Sequence, residues 1–250
     1  MQLTNEHVVF ISGGASGLGA ESARQFAAAG VKVVAADLHI PEEQTPGVHY
    51  IQTDVTDAAQ VAAAVAEAST LGELRCAIAC AGIAPSMRIV GRRGTHDPDL
   101  FAKVISINLC GSFHVLAAAA EAMSQLEPID AEGQRGVVIL TASVAAFEGQ
   151  IGQAAYAASK GGVHALTITA ARDLASQGIR VCAIAPGVVN TPMMAAMPDN
   201  VRNELEQRVP FPQRMAHPSE YGKLARAIVD NNYLNGETVR LDGALRMQPK

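Results

Sequence analysis

Tyr156-Ala157-Ala158-Ser159-Lys160 sets a phenol and an ammonium on a stretch that reads as helix. Side chains spaced i, i+4 share one helix face. An ammonium beside a phenol favours the phenolate, and a phenol tuned in this way is a general base at neutral pH. By itself the pair is common, and a surface pair is its plainer reading. Ser143 changes the weighing. It closes Thr141-Ala142-Ser143 after an apolar, strand-like run, so it stands at a strand's carboxyl end, where open α/β sheets carry their sites. Its hydroxyl can hold a substrate oxygen beside Tyr156, with a turn serine as the alternative. Asn108 lies in Ile107-Asn108-Leu109-Cys110-Gly111, inside a long helical stretch. Asparagine competes for backbone hydrogen bonds there. A buried Asn108 can bind a water that feeds protons to Lys160, and otherwise it is a tolerated polar residue. The catalytic set is therefore Asn108, Ser143, Tyr156 and Lys160, with Ser143 and Tyr156 touching substrate.

A second group of residues suits a dinucleotide. Ser12-Gly13-Gly14-Ala15-Ser16-Gly17-Leu18-Gly19 sits between a strand and a helix. Small residues let the backbone approach a pyrophosphate, and the helix N-terminus offers unpaired amides and a positive dipole end. Gly13, Ser16, Gly17, Leu18 and Gly19 are the expected contacts. Asp37 ends the second strand and can accept hydrogen bonds from both ribose hydroxyls, unless it only caps a turn. Its charge would repel a 2′-phosphate, and Ala15, Ser16 and Leu38 supply no cation, so NAD is expected rather than NADP. Asp54 and Val55 suit an adenine pocket, a carboxylate for the amino group and an apolar wall, with a loop cap as the alternative for Asp54. Cys80-Ala81-Gly82 would pass beneath the adenosine ribose, where small side chains fit.

Alternating elements must position these groups. His7–Ile11 reads as strand and Gly17–Ala29 as helix. Val31–Ala36 and His49–Gln52 follow as strands, and Asp57 caps a helix over Ala58–Ala68. Further strands are read at Arg75–Cys80, Gly136–Leu140, Arg180–Ala185 and Glu237–Leu241. Their near-continuous apolar character suits parallel strands covered on both faces. The order implies right-handed crossovers and a single-domain α/β fold, a doubly wound parallel sheet of the Rossmann kind. Pro85–Pro98 and Pro128–Gly136 read as loops.

Bulk properties narrow the class. The 250 residues are 49% hydrophobic and 17% charged, with net charge −5, a globular composition that can bury a core without disulfides. No basic patch points to nucleic acid. No apolar run is read as a membrane span. Cys76, Cys80, Cys110 and Cys182 read as reduced thiols, and the seven histidines show no paired spacing, so no metal is expected. The start lacks the pattern of a secretory signal or transit peptide. A cytoplasmic protein is the reading; an organellar one with its presequence removed would look the same.

The glycine loop, Asp37, Asn108, Ser143, Tyr156, Lys160 and Pro186-Gly187 fall in an order that resembles the short-chain dehydrogenase/reductase family along essentially the whole chain. Thr141–Gln150, Val209-Pro210-Phe211-Pro212, Asn235-Gly236-Glu237, Leu241-Asp242-Gly243-Ala244 and Arg246-Met247 are similar to the family's type-2 3-hydroxyacyl-CoA dehydrogenase subgroup. Two segments depart from the family. Thr-Gly is Ser12-Gly13, and Asn-Asn-Ala-Gly is Ala79-Cys80-Ala81-Gly82, which removes side-chain amides that support the sheet, although Cys80 also occurs in the subgroup. The resemblance implies reversible hydride transfer between NAD and a secondary alcohol, with 3-hydroxyacyl-CoA the leading substrate and a steroid or another secondary alcohol the alternative. A non-catalytic NAD-binding scaffold would not need Ser143, Tyr156 and Lys160 together. The resemblance also implies that Tyr156, Lys160 and Pro186 meet the cofactor, that Val189 offers its backbone to the carboxamide with Thr191 close to it, and that Thr191–Met215 covers the substrate. Met193, Met194, Met197 and Met215 suit an adaptable apolar pocket. Arg88, Arg92 and Arg93 are candidates for coenzyme A phosphates or a solvated loop. A homotetramer is a family expectation, with Gly236–Met247 near a subunit contact.

Overall fold

A computed structural model describes residues 1–92, 94–195 and 198–249. Arg93 and Met197, named above for the loop and the cover, lie outside the described residues. Seven parallel strands form one sheet: β1 (His7–Ser12), β2 (Lys32–Asp37), β3 (Val48–Gln52), β4 (Glu73–Ala79), β7 (Gly136–Thr141), β8 (Ile179–Pro186) and β9 (Thr238–Leu241). Their order is β3-β2-β1-β4-β7-β8-β9. The chain winds outward in both directions from the β1/β4 boundary, and a crevice opens beyond the carboxyl ends of these two strands.

Strand alternation divides the core into two layers. Val8 and Phe10 face α2 (Ala58–Leu71), α4 (Gly111–Ser124) and α5 (Ala154–Asp173). Val9 and Ile11 face α1 (Gly17–Ala28) and α8 (Pro218–Asp230). Both layers are built from fully buried aliphatic side chains, which explains why the strand sequences lack polar alternation. The Asp57 carboxylate accepts the Ala59 and Gln60 N–H groups at the start of α2, as the capping rule predicts.

Some boundaries differ from the sequence reading. β4 begins at Glu73, whose N–H donates to the Glu6 carbonyl at 3.1 Å, a pairing that side-chain pattern does not disclose. The Pro85–Pro98 loop contains a short antiparallel hairpin of β5 (Val90–Gly91) and β6 (Gly94–Thr95), followed by α3 (Pro98–Ile105). The cover region holds α6 (Pro192–Ala195) and α7 (Asp199–Gln207). Contrary to the sequence reading, the helical run Pro98–Ser124 is long and apolar enough to cross a membrane. In the fold, Val115, Leu116, Ala119 and Met123 of this run pack into the sheet's core, so its apolar character is explained by burial in the domain.

One ion-pair cluster ties the segment after β7 to the C-terminal segment. Glu148 accepts two hydrogen bonds from Arg240, at 2.8 and 3.0 Å, and the Met247 N–H at 3.1 Å. Arg240 and Arg246 both reach Asp242. The Arg240 hydrogen bonds hold the Glu148 carboxyl below its ordinary range. A depressed carboxylate pKa gives stability that is present above the unfolded value and lost as pH falls through the folded one. Glu148→Gln should therefore cost about 1–2 kcal/mol at pH 7, roughly 3–6 °C in Tm. The gap from wild type should shrink in melts run progressively below pH 4.5. An unchanged Tm at pH 7, or a gap that persists in acid, would contradict the assignment.

Candidate active site

The turn from β1 into α1 is shaped by close backbone approaches. Gly13 has φ +68°, and a Cβ there would lie 2.6 Å from the Ala81 nitrogen. A Cβ on Gly19 would lie 2.1 Å from the Gly13 carbonyl oxygen. Only glycine fits either place. The loop thus presses against the end of β4 and presents the start of α1 to an open cleft of about 660 Å³. Ser16, Gly17, Leu18 and Gly19 line that cleft together with Asp37, Asp54 and Val55. Ser16 is the N-cap of α1, and its side chain makes no capping bond. The helix N-terminus is therefore available to an anion.

Asp37 does two things at once. Its Oδ2 accepts the Ala15 N–H at 3.0 Å, so the carboxylate braces the glycine loop, and it still lines the cleft. The capping and ribose-binding readings are compatible, because a carboxylate has lone pairs for both. Asp54 Oδ1 accepts the Thr56 N–H and hydroxyl at 2.9 and 2.8 Å. Its Oδ2 has no hydrogen-bond partner among the described residues and is available to a ligand. The Val55 carbonyl accepts from His114 at 2.8 Å, which pins the apolar wall to α4.

Ser143, Tyr156 and Lys160 meet on the opposite wall of the same cleft. Ser143 follows β7 and caps a short turn, its oxygen accepting the Ala145 N–H at 3.1 Å. Its own O–H is directed at the Tyr156 phenol, whose ionised form it favours. Lys160 is buried, with Nζ donating to the Thr141 carbonyl at 2.6 Å. Burial pushes its ammonium down to about 8, so the charged form still prevails at neutral pH. Lys160 Nζ stands 5.9 Å from the centre of the Tyr156 ring. The sequence led to an expectation of a lowered phenol pKa. In the structure burial raises it, and only the Ser143 hydroxyl opposes that shift. Desolvation of the buried phenol sets the direction of the shift.

Asn108 departs most from expectation. A π-helical turn, Ser106–Cys110, separates α3 from α4 and aims its side chain inward. The side chain is fully buried. Its Oδ1 accepts the Ile83 N–H at 2.9 Å, and its Nδ2 donates to the Ile83 carbonyl at 2.9 Å and to Ser159 Oγ at 3.0 Å. Both Nδ2 hydrogens are thus taken by protein, while Oδ1 keeps one lone pair for a further donor. The side chain fastens the loop after β4 to α5, the helix that carries Tyr156 and Lys160. Gly82 makes room for this arrangement: a Cβ there would lie 3.2 Å from Asn108 Oδ1 and 3.7 Å from Lys160 Nζ.

Pro186, Val189 and Thr191 line the far end, with Met193 and Met194 of α6. Val189 bridges to Ala216, but the bridge uses the Val188 carbonyl and the Asn190 N–H. Among the described residues, no hydrogen bond uses the main-chain groups of Val189 itself. Thr191 stands across from the glycine loop, its Cβ 3.6 Å from where a Gly17 Cβ would be. Cys80, Ala81 and Gly82 form the floor. Sequence reasoning missed Thr141, whose contribution is a carbonyl common to every residue type, and Lys103 and Ile83, which also line the cleft. The exposed Arg88 and Arg92 lie outside the cleft lining. Among the described residues, no group of three His, Cys, Asp or Glu side chains is placed to hold a metal.

Asn108→Ala would take the side-chain partner from the half-buried Ile83 N–H and C=O and from Ser159 Oγ. A loss of about 2–4 kcal/mol is expected in denaturant unfolding, together with reduced turnover. A variant as stable as wild type would refute the fastening role.

Residues 7–202 match the family model described as short chain dehydrogenase. The 3-hydroxyacyl-CoA dehydrogenase type-2 of Drosophila melanogaster is 46% identical, covering 97% of this chain and 98% of its own. The Homo sapiens protein of that name is 47% identical, covering 97% and 96%. A crystal structure of 3-hydroxyacyl-CoA dehydrogenase type-2 from Mycobacterium avium superposes with a TM-score of 0.92 at 42% identity, covering 98% of both chains. With a seven-stranded parallel sheet, a glycine loop at its switch point and full-length likeness to such relatives, the chain belongs to the short-chain dehydrogenase family.

Proposed function

We propose that this protein is an NAD-dependent dehydrogenase that interconverts 3-hydroxyacyl-CoA and 3-oxoacyl-CoA thioesters. The observation that carries the reading is the convergence of Ser143, Tyr156 and Lys160 on a cleft whose other wall is the glycine loop braced by Asp37. Full-length relatives named for that reaction support the substrate class. The residues present fit a dinucleotide: Gly13 and Gly19 let the loop fold tightly on its own backbone and on Ala81, so that it lines the cleft without side chains, the Ser16 side chain leaves the start of α1 uncapped, and Asp54 Oδ2 keeps its lone pairs. Asp37, with no cationic side chain in the neighbouring loop, supports NAD over NADP. When bound, the nicotinamide accepts or donates the hydride.

The protein's own part is to hold an oxygen and move a proton. Ser143 donates its hydroxyl to the substrate oxygen. Tyr156 gives a proton to that oxygen in reduction and takes it in oxidation. Its raised pKa keeps the phenol protonated in the free enzyme, which is the form that reduction uses. Lys160 holds a positive charge beside the phenol and would bind the nicotinamide ribose. Met193 and Met194 give the substrate end an adaptable apolar lining, compatible with an acyl chain or a steroid ketone. A role in fatty acid metabolism, a cytoplasmic location and a homotetramer belong to the same proposal; fractionation and light scattering test the last two.

The direct test is NADH oxidation with acetoacetyl-CoA, run beside a steroid ketone and with NADPH in place of NADH. Fast turnover with the thioester and NADH is expected. Activity on the steroid alone would discard the substrate and keep the chemistry. Tyr156→Phe should bind NADH as wild type does and lose about 10²–10⁴-fold in kcat; undiminished kcat would remove Tyr156 from the reaction. Asp37→Ser should improve the NADPH to NADH rate ratio by on the order of tenfold, and an unchanged ratio would deny Asp37 its discriminating role.

A further inference from the structure

Directly behind Lys160, on the opposite face of the sheet, three side chains close a ring of hydrogen bonds. Thr141 Oγ1 donates to Cys80 Sγ at 3.5 Å, and Cys80 Sγ donates to the Tyr221 hydroxyl at 3.5 Å. Tyr221 and Thr141 are joined at 2.7 Å. With Tyr221 as donor in that last bond, each group donates once and accepts once, so no buried polar atom is left over. The three residues come from three elements: Thr141 ends β7, Cys80 follows β4 and Tyr221 lies on α8. Tyr221 has no exposed surface and sits in the apolar layer between the sheet and α1 and α8. A hydroxyl there costs free energy unless it is paired. A phenylalanine would serve the packing alone.

The ring acts on the site through Thr141. The carbonyl of this residue accepts the Lys160 ammonium at 2.6 Å, while its side chain is held from the other face. We propose that Tyr221 is a positioning residue for the reaction: through Thr141 and Cys80 it holds the carbonyl on which Lys160 is seated. The proposal rests on the assignment of Lys160 and Tyr156 given under Proposed function. Tyr221 touches neither substrate nor cofactor, and its effect reaches the chemistry only through the placement of Lys160.

The test compares Tyr221→Phe, Thr141→Val and the double variant with Ile228→Val. The last removes a methyl group from another fully buried residue of α8 that lies outside the site. Rates with NADH and acetoacetyl-CoA are normalised to the NADH-binding sites counted by fluorescence titration, so that misfolded protein does not enter. Tyr221→Phe is expected to lower kcat about 5–20-fold with KM for the thioester within twofold. Thr141→Val should do the same, and the double variant should be no worse than the poorer single one, because both break one ring. Ile228→Val should lower Tm yet leave kcat within twofold. The proposal is overturned if Tyr221→Phe keeps kcat within twofold, if its effect and that of Thr141→Val multiply, or if Ile228→Val loses as much. Tyr156→Phe, assayed alongside, separates the two levels. If it stays active, the underlying assignment fails and the proposal falls with it. If it is inactive while Tyr221→Phe is normal, only the positioning role is lost.

Discussion

The bond between the Lys160 ammonium and the Thr141 carbonyl, 2.6 Å long and buried, is the contact on which the rest of the site depends. A buried ammonium is unfavourable unless hydrogen-bonded. Its position is therefore tied to the carbonyl at the end of β7. That carbonyl lies where it does because β7 is paired on both sides, with β4 and β8. The lysine comes from α5, twenty residues long and packed on β8 and β7. Displacing either element would strand the charge.

Around that contact the site is a meeting of loops at one edge of the sheet. The glycine loop leaves β1, the Cys80–Ile83 segment leaves β4, and the Ser143 turn leaves β7. Parallel strands place all three at the same edge. Cross-ties hold them in register. Asp37 braces the first loop through Ala15, and Asn108 clamps the second to α5 through Ile83 and Ser159. Glu148 anchors the segment beyond the third to Arg240. Each tie joins segments distant in the chain, so one substitution disturbs geometry far from the residue replaced.

Burial sets the electrostatics of the site more strongly than proximity does. Lys160 and Tyr156 are both shifted toward their neutral forms by desolvation. An isolated helix bearing Tyr156 and Lys160 would suggest the opposite for the phenol. The difference arises because the fold buries the phenol, which local spacing cannot reveal. Ser143 is the group that favours the phenolate.

The amino-acid sequence by itself determined the alternation of strands and helices, the glycine loop and its acid, and the identities of Ser143, Tyr156 and Lys160. These rest on local rules: apolar runs form buried strands, helix spacing places Tyr156 and Lys160 on one face, and glycine permits close approach. Only the tertiary structure decided what Asn108 does, since its amide is bonded to Ile83 and Ser159, residues that no local pattern links to it. It also decided that Thr141, Cys80 and Tyr221 meet behind Lys160. Their hydroxyl and thiol groups come from two strand ends and a helix separated by long stretches of chain, and each is unremarked in its own segment. Hydrogen bonds of this kind depend on the order in which strands lie side by side, and that order is a property of the folded sheet rather than of any one stretch of sequence.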